Sequence, residues 1–216
     1  MELIAVEQSR LVSLFLTRRL AGQLYMPTAS AAFVERYRFA QHPSSIEDLS
    51  AEPIRFGHGI FRDAAIGEFN IYSDGVMIAS HSPTDLLDAF LADVLDWANV
   101  SLGLDRIETH SISRIYESHV CIHSNRDFLK VLRPLEDLAK LVTAGLKKCS
   151  KFQADFIPVG FTFAADHTSI AGLKPAPFKL ERRPGVEFSR QLFISTAPLP
   201  TKDHLVVLQR LETMST

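Results

Sequence analysis

Glu68-Phe69-Asn70-Ile71-Tyr72-Ser73-Asp74-Gly75-Val76-Met77-Ile78-Ala79 reads as a β-hairpin. Two runs of alternating apolar and polar residues flank Asp74-Gly75, a pair suited to the left-handed positions of a type I′ turn. That turn sets Phe69 and Ile71 on the same face as Val76 and Ile78. Directly afterwards, Ser82-Pro83-Thr84-Asp85 offers a helix cap, a proline for the first helical position and a carboxylate for the first turn. The helix is expected to run from Thr84 to about Leu102 and to stop at Gly103.

Around that helix, Leu86, Leu87, Phe90, Leu91, Val94, Leu95, Trp97 and Ala98 fill one broad half, and Asp85, Asp88, Asp93 and Asp96 share the other. No Lys or Arg lies between Asp85 and Asp105, so the polar face is a stripe of one charge without internal ion pairs.

Working outward, Leu3 to Leu16 suggests one or two strands, and a short helix is expected after Pro27. Ser44-Ser45-Ile46-Glu47-Asp48 starts a helix that Pro53 ends. Gly57 and Gly59, flanking His58 in a strand-like run, suggest a bulge or a close backbone approach. Gly-His-Gly without a third glycine and a following helix is no dinucleotide fingerprint. A third helix is expected from Ser124 through Phe128, Leu132, Leu135, Ala139, Val142 and Leu146, with a kink or restart at Pro134. Strands are expected within 152–165, 178–182 and 191–195, and a last helix capped by Thr201 turns Leu205, Leu208 and Leu211 inward. Strands and helices do not alternate regularly, which favours an α+β fold with a mainly antiparallel sheet packed by three to four amphipathic helices. The 216 residues suit a single domain, 1–216, and no internal repeat is evident.

Composition is that of a soluble globular chain, 46% hydrophobic and 22% charged. No apolar run approaches a membrane span and the start lacks a basic leader, so a cytoplasmic, membrane-free protein is expected. The two cysteines, Cys121 and Cys149, imply no disulfide framework. Net charge is −2 but uneven: residues 1–146 hold 13 Lys+Arg against 19 Asp+Glu, and residues 147–190 hold 8 against 4. Such asymmetry suits contacts between oppositely charged surfaces.

Three candidate sites follow. The acidic face of helix 84–102 (Asp85, Asp88, Asp93, Asp96) and the basic region around Arg182 and Arg183 are candidate contact surfaces. In Ser118-His-Val-Cys-Ile-His123, strand alternation puts His119, Cys121 and His123 on one face, a possible metal set for a hydrolase or nuclease. Their spacing near ~7 Å is wide for one tetrahedral ion, and no CxxC or HExxH supports it. Arg182 and Arg183 also raise polyanion or nucleic-acid binding, which a pI of about 6.4 and the absence of a nucleic-acid motif disfavour. Neither Asp166-His167 nor Asp203-His204 preassembles a base and its orienter, and His204 reads as surface. No nucleophile motif is present and no cofactor is expected. The chain therefore reads as a non-enzymatic interaction protein, a homo-oligomer or a protein's partner, with acidic and basic surfaces supplying contacts.

Overall fold

A computed structural model describes residues 1–14, 26–101, 113–149, 151 and 154–214. Among the described residues the strands are β1 (Glu2–Leu14), β2 (Ile54–Phe61), β3 (Ala64–Tyr72), β4 (Gly75–Ser80), β5 (Ser113–His123), β6 (Gly160–Phe163), β7 (Phe178–Arg182) and β8 (Leu192–Ala197). The helices are α1 (Met26–Tyr37), α2 (Ile46–Ser50), α3 (Thr84–Ser101), α4 (Glu136–Cys149) and α5 (Thr201–Met214). The strands form one antiparallel sheet in the order β2-β3-β4-β1-β5-β8-β7-β6. This is the α+β architecture that the sequence implies.

The hairpin faces are as expected, but its turn is not. Ile71 pairs with Val76 and Phe69 with Ile78, so the loop is Ser73-Asp74, one residue early. Neither loop residue has positive φ. Moving the loop by one shifts the register by two, which leaves every side chain on its expected face. Gly75 is needed for a different reason: a Cβ there would run into the Ser13 carbonyl of the neighbouring β1. The type I′ geometry instead sits between β2 and β3, at Arg62 (φ 48) and Asp63 (φ 64).

Other expectations fall on the described residues as follows. The N-terminal segment is a single strand, β1. Ser45 caps α2 in a capping box with Asp48. Gly57 and Gly59 do mark close approaches, with Gln41 and Phe39 lying where their side chains would be. Gln41 bridges to Gly57 along the outer edge of β2, and His58 beside it has φ 55. Leu16, Leu102, Gly103 and Phe152 lie outside the described residues.

An internal repeat that the residues hide is plain in the topology. Apart from the five-residue α2 in the first half and the 3-10 turns in the second, each half runs strand, helix, three strands, helix, and the halves meet at the antiparallel β1–β5 pair, Ser9 against Ser118. Ser9 pairs outward with Ser80 and Ser118 with Ala197, so Pro83-Thr84 and Pro200-Thr201 occupy equivalent helix starts. Burial repeats where identity does not: Leu11 corresponds to Val120 and Phe69 to Leu180, all sealed. Each half has its own core, one around Phe33, Phe69, Ile78, Phe90 and Leu91, the other around Val120, Ile122, Phe128, Phe193 and Leu208.

The helices α3 and α5 meet at this dyad. Thr84 N donates to Thr201 Oγ1 at 3.1 Å, and Thr201 N donates to Thr84 Oγ1 at 2.8 Å. Thr201 therefore caps the other half's helix, not its own as its sequence context suggests. Each hydroxyl satisfies one orphan amide of a helix start. Thr84→Val keeps the shape but strands the buried Thr201 amide, and should cost about 1–3 kcal/mol in urea unfolding. A change within experimental error would show that the amide finds another acceptor.

Candidate functional site

The acidic helix face is less bare than its sequence implies. Asp93 accepts from Arg36 Nη2 at 2.9 Å and from the Tyr37 hydroxyl at 2.7 Å. Burial pushes the Asp93 carboxyl up, but the hydrogen bonds from Tyr37 and Arg36 outweigh it and hold the group below its ordinary range. Burial and the Asp93 bond push the Tyr37 hydroxyl well up. On the opposite flank, Asp88 accepts from Arg114 Nη1 at 3.0 Å and from the Tyr116 hydroxyl at 2.9 Å. The compensating cations come from α1 and β5, elements distant in sequence, not from residues 147–190. Asp85 and Asp96 are left exposed on the outer line of the helix.

His119, Cys121 and His123 do share a face of β5, opposite the face that carries the helices. There they part company. His119 Nε2 lies 2.7 Å from Glu117 Oε1, and its Nδ1 3.3 Å from Thr196 Oγ1. Cys121 is sealed, with Arg183 Nη1 donating to its Sγ at 3.0 Å. Among the described residues no three His, Cys, Asp or Glu side chains gather into a metal-holding group.

Arg182, the last residue of β7, and Arg183, just beyond it, reach partners on opposite sides of the sheet. Arg182 is buried, pairs with Asp127 at 3.0 Å, donates to the Phe188 carbonyl and lies over the Phe188 and Phe193 rings. Arg183 is partly exposed and pairs with Glu7 at 3.3 Å. The two guanidinium groups therefore form no joint anion fork.

His204 is not on the surface; it is 0% exposed, between Ser118 Oγ at 2.7 Å and Ser195 Oγ at 2.8 Å. Because Ser195 donates its hydroxyl proton to the Lys179 carbonyl, it must accept from His204 Nε2–H, which leaves Nδ1 to accept from Ser118. Burial first, then the charge of His119, lowers this imidazole to a pKa of about 4. A serine beside a neutral imidazole has the makings of a nucleophile and base. Here both serines are sealed with the histidine, so no substrate reaches them in this conformation.

The restart expected at Pro134 is present, but it turns the apolar face the other way. The first part of the segment expected as helix from Ser124 is a 3-10 helix, Phe128–Leu135, capped by Asp127, and α4 restarts beyond Pro134. A 3-10 helix turns ~20° more per residue than an α-helix, so eight residues rotate the apolar stripe by roughly 160°. Phe128 and Leu129 stay in the core, whereas Leu135 and Val142, expected inward, face out. Val131, Leu135, Leu138 (59% exposed), Leu141 (69%) and Val142 (52%) form an outward apolar stripe, and Thr143 alone of α4's described residues is fully buried. The equivalent helix of the first half, α1, packs Phe33 and Tyr37 into its core. The signal was present in Leu138 and Leu141, apolar residues that the inward pattern leaves over.

Comparison with protein-family models gives no match, and comparison with curated proteins finds no similar sequence. Among the described residues no helix is long and apolar enough to cross a membrane.

Proposed function

We propose that the protein is a non-enzymatic interaction protein that works by docking a polypeptide surface onto α4. The observation that carries this reading is the exposed stripe Val131-Leu135-Leu138-Leu141-Val142. Contiguous apolar patches beyond a few hundred Å² are costly to leave in water and mark contact surfaces. Charge supports the same place. The basic region contributes Lys147 and Lys148 to the last turn of α4, while two of the four aspartates of α3 are already engaged within the chain.

The test is a photo-cross-linking amino acid at position 141, activated in cells that make the protein. The expected result is a discrete adduct that disappears when Leu138 is also changed to Glu. Absence of any adduct at position 141 would overturn the reading.

A further inference from the structure

Resting on that reading, we infer that the occupant of the α4 stripe is a second copy of the same chain, laid antiparallel so that the two α4 helices pair about a two-fold axis near Leu141 and Val142. Three features of α4 point to its own reflection as the complement.

The first is its charge order. Glu136 and Asp137 occupy the first turn and Lys147 and Lys148 the last, so an antiparallel copy brings acidic end to basic end twice, whereas a parallel copy opposes like to like. On a helical wheel Asp137 and Lys148 lie on the same flank of the stripe, so each falls beside its opposite in the second copy. Among the described residues Asp137 pairs with Lys140 at 2.8 Å and Lys147 with Asp155 at 2.8 Å, exposed pairs that exchange at little cost.

The second is shape. Leu138 stands one side of Leu141 and Val142, and Gly145 the other. A Cβ at Gly145 would meet nothing within 4 Å, so the helix is notched there. Antiparallel pairing about Leu141 and Val142 sets Leu138 of one copy over the notch of the other, and the two-fold repeats the fit.

The third is what the stripe does for the fold. Its residues face away from the second core, whose members are Val120, Ile122, Phe128, Leu129, Leu180, Phe193 and Leu208. Polar substitutions on the stripe therefore leave the packing of that core intact. A contact related by a two-fold is also closed, and stops at the dimer.

The native cysteines make the geometry measurable. Cys149 is exposed at the end of α4 and Cys121 is buried. With the axis near Leu141 and Val142, the two copies of Cys149 are separated by roughly 20 Å of helix rise and cannot be bridged, whereas a parallel pair would bring them together. The experiment measures the mass of the full chain by light scattering after size exclusion, with mild oxidation as its second arm. The expected mass is twice 24.1 kDa. The double substitution Leu138→Glu and Leu141→Glu should halve it with unchanged circular dichroism, and should remove the concentration dependence of the melting temperature that a dimer shows. Oxidation should leave the wild type unlinked but cross-link a Val142→Cys, Cys149→Ser chain.

Three results would each overturn the inference: a monomer at every concentration, a dimer that survives the double glutamate substitution, or a Cys149 disulfide in the wild type without a Val142→Cys cross-link. A monomer that still gives an adduct at position 141 with a different protein refutes the second copy and leaves the interaction reading standing. A monomer with no adduct removes both.

Discussion

Between pH 6.5 and about 4 the unfolding free energy should fall by ~3 kcal/mol on account of one side chain, His204. The imidazole's ordinary pKa is 6.5 and its folded value about 4. Above 6.5 both states hold it neutral and its contribution to stability is complete. As the pH drops below 6.5 the unfolded chain takes up a proton that the folded chain refuses, so stability is lost. Below about 4 both states are charged and the loss ends. The imidazolium is disfavoured because the site is sealed and because of the charge of His119, the neighbour of Ser118 on β5. Carboxylates titrate over part of this range, so the quantity to measure is the difference between wild type and His204→Leu. Leu87 occupies the equivalent position in α3 and is equally buried, so the first half already shows that a leucine fits such a site. Urea unfolding across this pH interval should give a flatter profile for the variant by about the stated amount. Should Leu be tolerated poorly beside Ser118 and Ser195, His204→Gln keeps polar contacts without titrating. Parallel profiles for wild type and both variants would remove His204 as the source.

The other large effect lies in the first core. The Phe33 ring has the rings of Tyr37, Phe39, Phe56, Phe69 and Trp97 within 4.8–5.7 Å of its centroid. Phe33→Ala removes the central ring and leaves a cavity between α1, the sheet and α3. Its expected cost is about 3–5 kcal/mol, read from the urea midpoint at constant m-value. Rings clustered this way gain edge and stacking energy beyond their buried area, which puts the expectation towards the upper end. A loss under about 1 kcal/mol would mean that the neighbours collapse into the space.

What the sequence disclosed follows from which forces act locally. The period of two in residues 68–79 fixed which side chains enter the core, and it survived an error in the turn because parity tolerates a register shift of two. The capping box at Ser45 and the apolar half of α3 were legible for the same reason, since their partners lie within one or two turns. Arg62-Asp63 was not legible as a type I′ turn, because nothing in an arginine announces a left-handed backbone. The partners of Asp88 and Asp93 come from Arg114 and Arg36, 26 and 57 residues away, so an uncompensated stripe could not be distinguished from a paired one. His204 looked superficial because its neighbours Asp203 and Lys202 are charged, and only the docking of α5 onto β5 and β8 seals it. The internal repeat was hidden since packing conserves burial and direction while letting Phe69 become Leu180. For α4, a change of helical pitch at Phe128–Leu135 turned an inward pattern outward, which is a property of the backbone more than of residue type.

The two rims of the sheet bear on how copies of this chain meet. A strand rim with free amides and carbonyls is a template on which identical molecules stack without limit. Here one rim, β2, is partly occupied by Gln41 and bent at His58, and the other, β6, is four residues long. Neither gives a long flat track for runaway polymerisation into fibres. Under the proposed pairing of α4, such blunted sheet margins would confine cohesion to a contact that terminates itself.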